Sequence, residues 1–287
     1  MKKNKLGTST LEVSKVCLGT MTFGEQNSPD ESFDQMTYAF ENGINFFDTA
    51  EMYPIPGRKH TQGNTERIIG DWLEESGNRE EIYIATKVSG PGLNWIRKGT
   101  KFSKDQIHKA VDDSLKRLKV DSIDLYQLHW PERGNNKFGH RIYPWHINEG
   151  YKHNFMAILE ALVELLESGK IKNWGLSNET SWGIMKFMQL CDQYGITKPV
   201  SVQNAYSLMN RLFEYGASEV AQFENIGLMA YSPLAFGLLS GGWAAGVPQA
   251  GRRSPHLRPP TEQARRNRRR TPRQAWRNDG GARLRHS

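Results

Sequence analysis

IDLYQLH, residues Ile123–His129, sets the pattern from which the fold is read. It is a short apolar run, of strand rather than helix length, and it ends in a histidine. A long aromatic loop follows, WPERGNNKFGHRIYPWHINEGYKHN (Trp130–Asn154). Runs of the same kind recur on both sides. Upstream stand VCLGT (Val16–Thr20), INFFDT (Ile44–Thr49) and IYIATK (Ile82–Lys87). Downstream stand NWGLSN (Asn173–Asn178), VSVQN (Val200–Asn204) and GLMAYS (Gly227–Ser232).

Amphipathic helical stretches separate these runs. One opens at Ser28-Pro29-Asp30-Glu31, where Ser28 caps, Pro29 suits the first helical position and Glu31 completes a capping box. Phe33, Met36 and Phe40 form its apolar stripe. Another carries Ile68, Ile69, Trp72 and Leu73 and stops at Gly77. A third starts with a second capping box, Ser103 and Gln106, and turns Ile107, Ala110, Val111, Leu115 and Leu118 inward. Further helices carry Leu159, Leu162, Val163 and Leu166, then Ile184, Phe187, Met188 and Cys191. A last one spans about Asn210 to Phe223. Strands alternating with helices every ~30 residues predict an α/β fold with a parallel sheet, a (β/α)8 TIM-type barrel. An N-terminal hairpin, KLGTSTLEV with its turn at Gly7–Thr10, precedes it. Seven strands are readable, and no run of four β-forming residues supplies an eighth, so the barrel reads as truncated after the seventh strand.

Composition divides the chain in the same place. The 287 residues carry a net charge of +7. Residues 243–287 hold 12 Arg, no Lys and two acids, Glu262 and Asp279, so this tail is +10 and the rest −3. Five prolines and three large aliphatics leave the tail unable to build a core. We therefore expect an incomplete barrel over 1–242 and an Arg/Pro-rich disordered tail over 243–287, out of frame with the rest. No stretch approaches the ~20 apolar residues of a membrane span, and the start lacks a signal peptide's apolar run. Two cysteines, Cys17 and Cys191, form no paired framework. The expected location is cytoplasmic, with no membrane partner.

The strand ends carry the chemistry. Asp48, Lys87, His129, Asn178, Gln203 and Tyr231 all lie at the C-terminal ends of predicted strands, the end of a barrel where reacting groups collect. Tyr53 follows five residues after Asp48. A phenol has a pKa near ~10 and is a poor acid at neutral pH unless a cation stabilises its anion. Lys87 can supply that cation, Asp48 can hold the ammonium, and His129 can orient a carbonyl or relay a proton. Each residue taken singly also fits an ordinary core or loop role; their convergence favours a site.

With these residues in view, the chain resembles an aldo-keto reductase, with details in keeping with the bacterial Tas-like branch. The resemblance runs from Lys5 to about Gly242 through LGTSTLEVSKVCLGT, NFFDTAEMY, IATK, LYQLHWP, NWGLSN, QNAYS and YSPLAFGLLSGG, in the family's order. It implies a catalytic tetrad of Asp48, Tyr53, Lys87 and His129, with Tyr53 as proton donor, and an NADP cofactor bound without a Rossmann domain. By the same resemblance Ser177, Asn178 and Gln203 hold the carboxamide, Tyr231 stacks on the nicotinamide, and Thr20, Met21 and Asp48 join them. Ser232, Leu234, Gly237, Leu238 and Ser240 follow the pyrophosphate, a reading in line with a Gly-rich loop whose N–H groups face an anion. Met21, Phe23, Trp130 and the 130–154 loop would wall the pocket for a small carbonyl substrate, reduced by hydride transfer. No metal site is expected.

The pattern ends after Gly242, and the segment that in the family grips the 2′-phosphate is not recognisable. Bare strand edges would weaken the barrel, so a damaged, inactive reductase is one expectation. Three other readings compete. RRNRRR (Arg265–Arg270) could bind nucleic acid by phosphate neutralisation, although without interleaved aromatics it predicts no specific recognition. Lys87 could form a Schiff base, as in aldolases. The barrel could also serve as a non-catalytic binding subunit.

Overall fold

Residues 1–138 and 142–241 are described by this computed structural model. The hairpin pairs β1 (Lys3–Lys5) antiparallel with β2 (Glu12–Ser14). Seven strands then form one sheet in chain order: β3 (Leu18–Gly19), β4 (Phe46–Asp48), β5 (Tyr83–Val88), β6 (Leu125–Leu128), β7 (Trp174–Ser177), β8 (Ser201–Ala205) and β9 (Gly227–Tyr231). Every neighbouring pair is parallel. The connecting helices are α1 (Pro29–Glu41), α2 (Asn64–Ser76), α3 (Lys104–Leu118), α4 (Phe155–Glu167), α5 (Ser181–Tyr194) and α6 (Ala217–Phe223). This is the strand–helix alternation of a (β/α)8 barrel. Among the described residues there is no eighth barrel strand. The expected tail, 243–287, lies outside them.

Side-chain alternation explains how the sheet curls. Outward residues Phe47, Ile84, Tyr126, Leu128, Trp174, Leu176 and Val202 pack with the helices in the main core. Inward residues Phe46, Ala85, Leu125 and Met229 form a second cluster with Val200 and with Leu6, Leu11 and Val13 of the hairpin region. Phe46 is on the second strand of the sheet and Met229 on the seventh. They share a cluster because the sheet is rolled, and the hairpin closes the N-terminal end of the roll. Gly7 makes that closure fit: its backbone is left-handed (φ +56°), and a Cβ there would lie 2.1 Å from the Val200 carbonyl oxygen.

The Ser28 capping box forms as the sequence predicts. Ser28 Oγ accepts from Glu31 N at 3.2 Å, and Glu31 Oε2 accepts from Ser28 N at 2.8 Å. The Ser103 box does not form: Ser103 makes no side-chain cap bond. Gln106 instead accepts from Arg97 Nε at 2.7 Å and donates to the Arg97 carbonyl at 3.2 Å. The helix predicted over Asn210–Phe223 is also broken. A 3-10 turn (Leu212–Glu214) precedes α6, and Gly216, left-handed at φ +89°, separates them. Phe33, Phe40 and Leu115 are half-buried rather than central, while Met36 is fully buried.

The chain divides at Pro233. Met1–Pro233 carries all the elements above, and Leu234–Ser287 is a second unit. Its described part, through Gly241, holds a kinked 3-10 turn (Ala235–Ser240) with left-handed backbone at Phe236 and Gly237.

Candidate active site

The inward faces of the strands become polar one layer above the hairpin. Asp48 ends β4, Lys87 lies on β5, Gln127 on β6 and Gln203 on β8, and all four are buried. An ammonium in such a place needs close partners, because the desolvation of an unpaired charge is prohibitive. Lys87 Nζ has two: Asp48 Oδ2 at 2.6 Å and the Thr49 carbonyl at 2.7 Å. The other carboxylate oxygen, Oδ1, accepts from Gln127 Nε2 at 3.0 Å and from Gln203 Nε2 at 2.9 Å.

The loop after β4 turns back across this layer. Thr49 N bonds to the Ala85 carbonyl at 2.8 Å and Glu51 N to the Lys87 carbonyl at 3.2 Å, which stitches the loop to β5. Tyr53 is thereby buried with its ring centroid 5.1 Å from Lys87 Nζ. The His129 ring stands 5.7 Å from the Tyr53 ring at 80°. The four residues Asp48, Tyr53, Lys87 and His129, taken from β4, its loop, β5 and the end of β6, are brought together.

Electrostatics corrects one expectation. Burial raises the Tyr53 pKa, Lys87 pulls it down, Asp48 opposes Lys87, and the net shift is upward. The ammonium thus moderates the phenol without making it acidic, and Tyr53 carries its proton at neutral pH. Burial works against the Lys87 ammonium, but Asp48 and Tyr53 outweigh it and its pKa lies above the usual lysine value. Burial and Lys87 together hold His129 well below its usual pKa, so its ring is neutral. His129 Nδ1 is buried without a hydrogen-bond partner among the described residues.

The aldo/keto reductase family model matches residues 15–273. The chain belongs to the aldo/keto reductase family. "Protein tas" of Escherichia coli (strain K12) is 46% identical over 257 residues, covering 88% of this chain and 74% of that protein. "Uncharacterized oxidoreductase YrpG" of Bacillus subtilis (strain 168) is 36% identical over 248 residues, covering 84% and 69%. "Aldo-keto reductase" of Babesia bovis is 45% identical over 176 residues, covering 56% and 61%. Aldo/keto reductases are oxidoreductases that act on small carbonyl compounds with NAD(P)H.

The residues present fit such a cofactor at the nicotinamide end. Asn178 is held in left-handed backbone (φ +52°), its Nδ2 donating to the His129 carbonyl at 2.9 Å and to Ser177 Oγ at 3.1 Å. Its Oδ1 accepts from Tyr231 OH at 2.7 Å. Ser177 Oγ donates to the Gln203 carbonyl at 2.9 Å. Gln203 Oε1 takes no donor among the described residues, which leaves an acceptor for a carboxamide NH2. The Tyr231 phenol, pushed up to about 12 by burial and by Tyr53, stays neutral.

Other predicted positions behave differently. Thr20 is fully buried, and its hydroxyl is spent on the Asp48 carbonyl at 2.8 Å. Met21 is partly exposed. Phe23 is no pocket wall: it is fully buried in the main core with Ile68 and Met36, and its carbonyl accepts from Thr65 Oγ1 at 2.8 Å. Ser232 has left-handed backbone (φ +56°). In the second unit, the Gly237 and Leu239 amides both donate to the Leu234 carbonyl, at 3.0 and 3.1 Å, so the turn uses two of the N–H groups expected to face an anion. Ser240 Oγ donates to the Gly237 carbonyl at 2.7 Å; Leu238 lies within the same turn.

Trp130 packs 4.9 Å from His129, and Phe138 meets Trp130 edge-on at 5.7 Å, an aromatic row that reaches Tyr53 through His129. Residues 139–141 of this loop lie outside the described residues. Three supports were missed in the sequence. Glu51 pairs with Arg97, whose Nη2 donates at 3.0 Å, and accepts from Ser89 N at 2.6 Å. Arg133 pairs with Glu179 and lies 4.8 Å from the Trp182 ring. Asn135 Nδ2 donates to the Asn178 carbonyl at 2.9 Å. The signal for Glu51 was its place in DTAEMY; the other two carried none.

Proposed function

We propose that this chain reduces small aldehydes or ketones to alcohols with NADPH, and that Tyr53 gives the proton to the carbonyl oxygen. The observation that carries the reading is the buried, protonated Tyr53 set beside the Asp48–Lys87 pair. When bound, the cofactor supplies the hydride that adds to the carbonyl carbon. Tyr53 OH then neutralises the oxygen, and the phenolate left behind faces the Lys87 ammonium, which limits the cost of forming it in a buried place. His129, neutral, offers a ring N–H to orient the carbonyl. Ser177, Asn178 and Gln203 hold the carboxamide, Tyr231 stacks on the ring, and Met21 and Asp48 flank it, while Thr20 braces the Asp48 backbone. Trp130 and Phe138 favour apolar or aromatic carbonyl compounds. Two unpaired cysteines suit a reducing, cytoplasmic setting. A Schiff-base role for Lys87 is disfavoured, because its raised pKa keeps the amine protonated and non-nucleophilic.

Tyr53→Phe tests the reading. Carbonyl-dependent NADPH oxidation should fall about 100-fold or more, while NADPH affinity, measured by nucleotide fluorescence, stays within about twofold. Wild-type-like turnover in the variant would remove Tyr53 from the mechanism.

A further inference from the structure

Gln127 has no part in the chemistry just described, yet it occupies the centre of the polar layer. It lies on the inward face of β6 between Leu125 and His129, paired in register with Lys87 on one side and Gly175 on the other. The row beneath it, Phe46, Ala85 and Leu125, is apolar. A side chain present for packing alone would be apolar as well, since Gln127 Oε1 is buried with no hydrogen-bond partner among the described residues and that orphan destabilises the fold. The other end of the amide is the part in use: Nε2 donates to Asp48 Oδ1 at 3.0 Å, beside the Gln203 amide at 2.9 Å.

We propose that Gln127 is a positioning residue for proton transfer: its amide, together with that of Gln203, clamps Oδ1 of Asp48, which directs Oδ2 to Lys87 and fixes the ammonium beside Tyr53. The inference rests on the reading of Tyr53 as proton donor. Two amides on one oxygen and an ammonium on the other leave the carboxylate a single orientation. With the Gln127 donor removed, the carboxylate charge is less compensated and Lys87 is less firmly placed; both changes make the Tyr53 phenol hold its proton more tightly. Other groups facing Tyr53 do not offset this. His129 from β6 and Tyr231 from β9 are neutral, and Glu51 on Tyr53's own loop is paired with Arg97.

The test uses the full chain with Gln127→Met, which keeps the length and removes the donor, and with Gln127→Glu. Tyr53 is titrated directly by NMR of 13Cζ-tyrosine, its signal assigned with Tyr53→Phe, and the pH dependence of alcohol oxidation is measured in parallel. In Gln127→Met the Tyr53 midpoint should rise by roughly half a pH unit, because only the part of the lost Asp48 bond that differs between phenol and phenolate reaches Tyr53. Oxidation, which needs the phenolate as base, should fall about threefold at pH 8, with reduction at pH 7 much less affected. In Gln127→Glu a protonated carboxyl can donate to Asp48, so activity approaches wild type at acid pH and falls as that acid ionises, adding a step absent from Gln127→Met. A merely structural role would lower both directions together and move no midpoint. An unmoved Tyr53 midpoint in Gln127→Met overturns the proposal; should that variant not fold, an unmoved midpoint in Gln127→Asn, whose amide is too short to reach, does the same. A midpoint that moves in a chain without turnover on any carbonyl supports the clamp and sinks the reductase reading. Normal turnover with a fixed midpoint sinks the clamp alone.

Discussion

Replacing Lys87 by methionine removes the ammonium from the buried layer while keeping most of its volume. The native ammonium is fully buried and makes two bonds, to Asp48 Oδ2 at 2.6 Å and to the Thr49 carbonyl at 2.7 Å. Removing one partner of a buried ion pair typically costs about 3–5 kcal/mol, because the other charge is left uncompensated. Asp48 keeps two amide donors on Oδ1, which places the loss near the low end, about 3 kcal/mol. For a domain of this size that is a fall in Tm of about 6–12 °C. The double variant Asp48→Asn/Lys87→Met leaves no bare charge and should recover at least ~1 kcal/mol of the loss. The pH dependence follows from the raised Lys87 pKa. A group whose folded pKa exceeds its unfolded value stabilises fully below the unfolded value, near 10.5, and loses that contribution as pH rises through the folded one. The deficit of Lys87→Met should therefore be constant from pH 6 to 9 and shrink above pH 10.5. Urea unfolding followed by tryptophan fluorescence measures all three quantities. A single variant within 1 kcal/mol of wild type, or a double variant as unstable as the sum of the two singles, would refute the reasoning.

Other predictions concern neighbouring groups. His129 is neutral when folded, whereas its unfolded form takes a proton below pH ~6.5, so wild type loses stability as pH falls through that value, by up to ~1.4 kcal/mol per pH unit. In His129→Asn the slope between pH 6.5 and 4.5 should drop by the equivalent of one proton, read from urea midpoints. Asn178→Gly keeps the left-handed backbone and deletes the amide; NADPH affinity should fall about tenfold, measured by fluorescence titration, with thermal stability changing far less than in Asn178→Ala. Gly70→Ala would place a Cβ 2.5 Å from the Arg117 carbonyl where α2 crosses the end of α3, and should cost about 1–3 kcal/mol in urea unfolding.

Most of the scaffold was legible because its signals are local. Short apolar runs of strand length mark the strands of the sheet, and the Ser28–Glu31 box and Gly77 mark helix ends within a few residues of themselves. Strand ends placed Asp48, Lys87, His129, Asn178, Gln203 and Tyr231 at one mouth, and they meet there. The misses are cases in which a distant partner or burial decided. Gln106 has all the marks of a box partner for Ser103, but Arg97, nine residues upstream, takes its amide. Glu51 and Arg97, or Arg133 and Glu179, are each 46 residues apart, a separation that no periodicity encodes. Phe23 reads as a mouth residue until α2 is seen to cover it. The acidity expected of Tyr53 considered Lys87 but not the burial that outweighs it. Gln127 was readable in principle: in IDLYQLH it shares a face with Leu125 and His129, and a polar residue on the inward face of a barrel strand demands a partner.

Transfer of the label from deuterated NADPH to a carbonyl substrate reports hydride delivery and the part of Tyr53 in a single assay. Incubated with a panel of aromatic and aliphatic aldehydes and NADPH deuterated at both C4 positions of the nicotinamide, the wild-type chain should yield an alcohol with one deuterium at the former carbonyl carbon by mass spectrometry, and Tyr53→Phe should yield almost none. Alcohol formed without the label, or labelled alcohol formed in equal amount by both proteins, would contradict hydride transfer assisted by Tyr53.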